Sequence, residues 1–175
     1  MARPPSAALV TRLRAPTDDE LGLLETWAKT PSSPFEDWTG APPPGTEHLP
    51  RVPAPAESGA LVVTDAADRV VGSIGWRPVL WGPALGSTAF ELGISLRPEH
   101  RGQGHGWRAQ RLLAEYLFTT TPVHRVQATT DVENLAEQRA LERAGYRREG
   151  VLRQAQWRLG AYHDLAMYGR LRTDD

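Results

Sequence analysis

Apolar and polar positions change period several times along the chain, and each change marks an element. Weak alternation of β-prone residues from Ala7 to Arg14 predicts an opening strand. Thr17-Asp18-Asp19-Glu20 then has the form of a capping box, in which Thr17 accepts from the Glu20 amide while the Glu20 side chain reaches back. Leu21, Leu24 and Ala28, flanked by Leu23 and Trp27, predict a helix with one apolar stripe that stops at Thr30, ahead of Pro31. Ala60–Thr64, a turn at Asp65–Asp68 and Arg69–Trp76 predict a β-hairpin. Ser87 to Leu96 alternates strictly, with Phe90, Leu92, Ile94 and Leu96 on one face and Glu91, Gly93 and Ser95 on the other. Ala109, Leu112, Leu113, Tyr116 and Leu117 return to helical spacing. Val123–Thr129 predicts a strand, and Asn134–Ala144 a helix closed by Gly145. Strands at Tyr146–Leu152 and Tyr162–Leu171 finish a pattern without internal repeats. Hairpins beside one strand–helix–strand crossover define an α/β (α+β) fold with a mixed, mostly antiparallel sheet flanked by helices.

One segment has no period. Eight of the fifteen prolines fall within residues 31–58, which excludes a long interior helix or a central strand there. Phe35, Trp38 and His48 provide anchors for an ordered flap. A segment of this length is either a cover over a substrate, with Phe35 and Trp38 against it, or a decorated connection.

Composition narrows the chemistry. The 175 residues suit a single domain, 1–175, and 40% hydrophobic content supports a core. The absence of cysteine excludes disulfides, thiolate metal sites and a cysteine nucleophile. A formal charge of −1 argues against general binding to nucleic acid or anionic membrane. No segment reads as a membrane span or a signal peptide, so a cytoplasmic location is expected. Of 20 basic residues only Lys29 is lysine, a bias that reads as coding preference. The histidines His48, His100, His105, His124 and His163 lack metal-ligand spacing, and no metal is expected. Trp76, Trp81 and Trp157 read as core or cleft walls; Trp76 is also a candidate for a substrate site, with Phe35 and Trp38.

The most informative run is Leu96-Arg97-Pro98-Glu99-His100-Arg101-Gly102-Gln103-Gly104-His105-Gly106, between a predicted strand and a predicted helix. Its three glycines let the backbone approach a ligand and adopt positive φ, and the following helix start presents amides to an anion. Arg101 and Arg108 add charge. The run lacks the ending of a P-loop and the third glycine of a dinucleotide fingerprint, because Trp107 follows. Two readings remain: a pyrophosphate held by main-chain N–H groups, or an ordinary glycine-rich turn.

Arg101-x-x-Gly104-x-Gly106 resembles the Arg/Gln-x-x-Gly-x-Gly/Ala signature of the GNAT acetyltransferases, in the same strand–turn–helix setting. Asn134-Leu-Ala-Glu137 through Ala144-Gly145-Tyr146 is similar to the second block of that superfamily. The closing runs Glu149-Gly150-Val-Leu-Arg153 and Gly160-Ala-Tyr162-His163-Asp164 resemble the branch containing ribosomal-protein N-terminal alanine acetyltransferases. The resemblance implies a single-domain GNAT-like fold with splayed central strands and acetyl-CoA as co-substrate, bound within residues 89–146. Backbone groups of Leu92, Ile94 and Leu96 would meet the pantetheine. The amides of Gly102, Gln103, Gly104, His105, Gly106 and Trp107 would hold the pyrophosphate near Arg101. Asn134 would contact the pantetheine arm or a water beside it, while Asn134-x-x-Glu137 is also a capping box.

Direct transfer to an amine in a ternary complex needs a neutral amine, a polarised carbonyl and a stabilised leaving thiolate. Glu91 is the candidate base, with Asn134 as the second catalytic candidate; the other reading of Glu91 is a structural pair with an arginine. The usual acid is missing from the pattern. The Tyr that many members carry seven residues after the Asn is Leu141 here, and the Ser that the alanine-acetylating branch uses three residues after it is Glu137. An ionised Glu is a poor proton donor unless burial raises its pKa. The expected acceptor is a primary amine on a small molecule or a peptide, and the expected assembly a monomer or homodimer. Two rivals are the same fold with another acyl donor, such as succinyl-CoA or an aminoacyl carrier, and a CoA-binding protein without turnover.

Overall fold

The computed structural model describes residues 10–37, 41–46 and 57–174, apart from the side chain of Leu85, and these residues form seven strands and three α-helices. Trp38 and His48, named above, lie outside the described residues, as do three of the eight prolines of the 31–58 segment, Pro50, Pro53 and Pro55. The elements are β1 (Arg12–Arg14), α1 (Asp18–Lys29), β2 (Gly59–Thr64), β3 (Val70–Leu80), β4 (Thr88–Leu96), α2 (His105–Thr120), β5 (Arg125–Asp131), α3 (Leu135–Arg143), β6 (Arg147–Arg158) and β7 (Ala161–Leu171). The sheet runs β1-β2-β3-β4-β5-β7-β6 and is antiparallel everywhere except between β4 and β5.

That exception shapes the molecule. β4 and β5 are parallel neighbours joined only at Phe90↔Val126 and Glu91↔Gln127. Beyond Glu91, β4 stays paired with β3 as far as Gly72↔Leu96, and β5 stays paired with β7 as far as Asp131↔Leu165. The two strands therefore part after Glu91, and the splayed centre opens toward their C-terminal ends.

The core lies on one face of the sheet. Val63, Val71, Ile74, Phe90, Leu92, Val126 and Ala128 pack against Ala109, Leu113 and Leu117 of α2 and Leu141 of α3. Of the stripe expected on α2, Ala109, Leu113 and Leu117 are at most 1% exposed, whereas Leu112 and Tyr116 lie at its edge, 37% and 45% exposed. Burying each of the two core leucines contributes about 2 kcal/mol.

Local signals set the element ends. Thr17 and Glu20 form the reciprocal capping box, with the Thr17 amide donating to Glu20 Oε2 at 2.8 Å. Gly145 adopts φ 92°, and the Tyr146 and Gly145 amides return to the carbonyls of Leu141 and Glu142, closing α3 in a Schellman motif. Two sequence expectations need correction. The stripe on α1 buries nothing: Leu21 and Leu23 are 47% and 39% exposed, and only Leu24 and Trp27 are half-buried. β6 also runs past Leu152 to Arg158, because an irregularity in its pairing, with Gln154 at φ 49°, lets pairing resume at Gln156↔His163.

Candidate active site

The glycine-rich turn sits where β4 leaves the sheet. Pro98–His100 makes one 3-10 turn, Gly102 and Gly104 take φ 69° and 87°, and Gly104 is the N-cap of α2. No side chain caps this helix, so the amides of its first turn keep their capacity to bind an anion. A Cβ on Gly104 would run into Arg108 Nη1 and lie 3.2 Å from Trp107 Nε1, besides the strain of its positive φ. Gly106 differs: a Cβ there would meet Leu96 Cδ1 and Ala140 Cβ at 3.6 and 3.9 Å, in ordinary contact. The turn, the α2 start and the unladdered edge of β4 from Leu92 to Leu96 form a continuous backbone-lined path that suits an extended pyrophosphate-bearing ligand.

Side chains around the turn are largely engaged. Arg101 donates to the Leu96 carbonyl at 2.9 Å, to the Ser32 carbonyl at 3.1 Å and to Ser32 Oγ at 2.6 Å, with Glu36 at 3.6 Å. It thus ties the turn to the segment after α1. Gln103 donates to the Glu99 carbonyl at 2.8 Å. Arg108 donates to the Gly104 carbonyl at 3.0 Å, and its guanidinium lies 4.4 Å from the centre of the Trp107 ring, which Arg143 approaches to 4.5 Å. The His105 ring is buried against Thr11 Oγ1 at 3.0 Å, and burial holds its pKa below the ordinary value, so only its backbone is offered to the path.

Glu91 stands on the opposite face of the sheet from the core, at the rung where β4 and β5 part. Arg77 donates to it at 3.1 Å, Gln127 Nε2 at 3.3 Å and Thr129 Oγ1 at 3.3 Å. Gln127 is oriented in turn, because its Oε1 accepts from Trp81 Nε1 at 2.9 Å and from Arg125 at 3.1 Å. The expected pair of Glu91 with an arginine therefore exists, inside a wider hydrogen-bonded set. Sequence reasoning missed Gln127 and Thr129, although their alternation with Val126 and Ala128 marks them as the polar face of β5.

Asn134 is the N-cap of α3: its Oδ1 accepts from the Glu137 amide at 3.3 Å, leaving its NH2 as a donor without a partner among the described residues. Glu137 Oε1 accepts from Gln110 Nε2 of α2 at 2.6 Å. Burial raises the Glu137 carboxyl to about 7, against the lowering effect of the Gln110 bond and with a further push from Glu36. Leu141 is fully buried in the core.

Of the acceptor-site candidates, Phe35 and Trp76 are not brought together. Phe35 lies over the Arg158 guanidinium at 5.5 Å. Arg158 is buried beside Asp131 at 2.5 Å, on the same face of β5 as Gln127 and Thr129, and His163 Nδ1 lies 3.2 Å from Asp131. Burial alone would raise the Asp131 carboxyl, but Arg158, the Glu133 amide and His163 hold it below the usual range. Trp76 instead faces the core side, opposite Leu92 in the β3–β4 register and 6.1 Å from the Tyr116 ring of α2. The segment after α1 is pinned again where Trp157 Nε1 donates to the Ala41 carbonyl at 2.9 Å. Trp81 is not a core residue, being 59% exposed beside a groove formed with Leu152, Met167, Arg125 and Glu149.

The parallel strands β4 and β5 splay beside a glycine-rich helix start that no side chain caps, as the resemblance to the acetyltransferases implies. Comparison with known proteins agrees. Residues 11–147 match the acetyltransferase (GNAT) domain model, and the chain belongs to that family of acyltransferases. The probable N-acetyltransferase YjcK of Bacillus subtilis is 32% identical over 130 residues, which cover 74% of this chain and 70% of that protein. Among solved structures, spermidine N-acetyltransferase from Vibrio cholerae in complex with CoA and spermine matches with a TM-score of 0.73 at 20% identity, over 94% of this chain and 96% of that one. Ribosomal-protein-S5-alanine acetyltransferase from Vibrio fischeri matches with a TM-score of 0.59 at 22% identity, over 67% of this chain and 63% of that one.

Proposed function

We propose that the protein is an acetyl-CoA-dependent N-acetyltransferase that moves the acetyl group directly to a primary amine in a ternary complex. The observation that carries this reading is the parting of β4 and β5 after Glu91 beside the uncapped start of α2. Bound acetyl-CoA supplies an activated thioester carbonyl and a thiol leaving group. The amides of Gly102 to Trp107 bind its pyrophosphate, with Arg108 beside them. Leu92, Ile94 and Leu96 offer main-chain groups, and the Asn134 NH2 offers a donor, to the pantetheine arm. Glu91 accepts a proton from the incoming amine, directly or through a water, while Arg77, Gln127 and Thr129 hold its carboxylate in one orientation.

The acceptor occupies the face that carries Glu91, between the β4–β5 opening and Phe35. The carboxylate of Glu91 favours a cationic amine, and a polyamine or a peptide N-terminus both satisfy that chemistry; the structural relatives above include a spermidine acetyltransferase and a ribosomal-protein-alanine acetyltransferase. Titration calorimetry with acetyl-CoA tests the donor. The expected result is binding in the micromolar range, and a Kd above millimolar overturns the reading. Thiol release on adding amines separates turnover from mere CoA binding, and a panel with succinyl-CoA separates the donors.

A further inference from the structure

The face of the sheet that carries Glu91 continues toward the N-terminal ends of β4 and β5. Arg77 and Val79 of β3 face the same way as Glu91, being paired with Glu91 and Ala89. Trp81, whose amide donates to the Ser87 carbonyl at 3.1 Å, continues that alternation. Across β5 and β7, Met167 pairs with Thr129 and Leu152 with Leu165, which brings both onto this face. Trp81 and Leu152 are 59% and 41% exposed, and together they wall a groove whose floor is the buried Ala89 and Met167. Its volume is about 460 Å³, within the range of small-molecule sites.

Two observations join this groove to Glu91. Trp81 Nε1 donates to Gln127 Oε1 at 2.9 Å, and Gln127 Nε2 donates to Glu91 Oε2 at 3.3 Å, so one wall is two hydrogen bonds from the carboxylate. Ala89 is the next residue on the Glu91 face of β4, about 7 Å away along the strand. At the other end of the face, Asp131 and Arg158 form a buried pair and Phe35 lies over it. An amine that meets Glu91 therefore finds its built groove on the Trp81 side. We propose that this groove holds the apolar tail of the acceptor, and that the acceptor is a small arylalkylamine. This rests on the reading of Glu91 as the group that receives the amine.

The chemistry of the groove selects this occupant. A two-carbon link and a ring span the distance from Glu91 to the floor, and the ring then lies against Trp81, Leu152 and Met167. The charged residues of the groove are spent on each other: Arg125 donates to both carboxylate oxygens of Glu149, at 2.6 and 2.5 Å. The pair lies flat on the sheet at Gly169, where an added Cβ would collide with Glu149 Oε1 and Arg125 Nη1. A polyamine would carry a second ammonium into apolar walls beside Arg125, whose countercharge is already taken. A peptide would bring further amides and carbonyls along a wall where Gln127 has both its oxygen and its NH2 engaged. An apolar tail needs none of these groups.

The test offers the intact protein phenethylamine, ethylamine, spermidine and phenylalanine amide. The expected kcat/KM for phenethylamine is at least about tenfold above that for each of the other three. L152R, at an exposed position of β6, puts a cation into the groove. It should raise the KM for phenethylamine at least about tenfold, with the KM for ethylamine and for acetyl-CoA within about threefold of wild type. W81A should lose the aromatic preference, whereas W81F, which keeps a ring and drops only the indole donor, should retain it. Independently of turnover, calorimetry should show phenethylamine binding to wild type and not to L152R. Equal kcat/KM across the panel, or binding unaffected by L152R, overturns the proposal. So does a preference for phenylalanine amide, which assigns the groove to the first residue of a peptide, or a wild-type dimer that L152R dissociates, which makes it a contact between copies. Failure of wild type to bind acetyl-CoA overturns the donor reading instead, and the phenethylamine titration still decides the groove.

Discussion

Gln127 donates to Glu91 at 3.3 Å across the last rung that joins β4 to β5. Immediately past this pair the strands separate, so a carboxylate is fixed at the apex of the wedge that the donor would enter. The fixing is mutual, because Gln127 can donate to Glu91 only while its own oxygen accepts from Trp81 and Arg125. The amide is thereby locked in one of its two flips.

Glu91→Gln keeps the shape and two of the hydrogen-bonding sites but removes the base. We expect kcat to fall about 10²-fold with little change in the KM for acetyl-CoA. Steady-state kinetics with saturating amine decide it; an equal loss in KM and none in kcat would mean that Glu91 only shapes the cleft.

Gly104→Val places a branched side chain at φ 87° and against Arg108 and Trp107. The turn must then shift away from the path of the pyrophosphate, and acetyl-CoA affinity should fall at least about tenfold, or 1.4 kcal/mol. Gly106→Ala meets only ordinary contacts and should keep thermal stability within about 0.5 kcal/mol of wild type. Calorimetry on the first variant and melting curves on both check the contrast.

Asp131→Asn strands the buried Arg158 guanidinium without its countercharge. Breaking one side of such a pair costs about 3–5 kcal/mol, and the melting temperature should drop accordingly. An unchanged melting curve would show that His163 and Gln156 suffice to hold Arg158.

Glu137 makes stability depend on pH with a definite sign. Its folded pKa is raised from 4.5 to about 7, so the folded state binds this proton more tightly than the unfolded chain does. The resulting stabilisation is complete below pH 4.5 and is lost as pH rises through about 7. Full burial would set its size at about 3 kcal/mol, and the solvent reach of a half-buried carboxyl reduces that. E137Q should therefore match wild type near pH 4.5 and melt higher above pH 7. Equal melting temperatures at pH 8 would contradict the raised pKa.

Much of the fold was legible in short runs of sequence. The Thr17–Glu20 capping box, the Gly145 stop and the alternation of Phe90 to Leu96 each act within a few residues, and each appears where its pattern places it. The stripe on α1 shows the limit. Its spacing is helical and the helix forms, but periodicity says nothing about whether a partner surface covers the stripe, and Leu21 stays exposed. Trp76 and Phe35 were likewise equal as aromatic candidates. Only the strand register placed Trp76 on the core side, and only the path of the segment after α1 placed Phe35 over Arg158.

The sequence by itself determined the element order, the positive-φ glycine turn and the carboxylate on the polar face of β4, because capping, period and glycine geometry are local properties. The tertiary structure decided where the strands part, which polar groups meet and which protons are held. Gln110 and Glu137 are 27 residues apart in the chain, and Asp131 and Arg158 are also 27 apart. No local spacing encodes such meetings, and a carboxyl's proton affinity follows from what packs around it. Glu137, a poor proton donor by sequence unless burial raises its pKa, gains that burial only where it packs against Gln110 of α2.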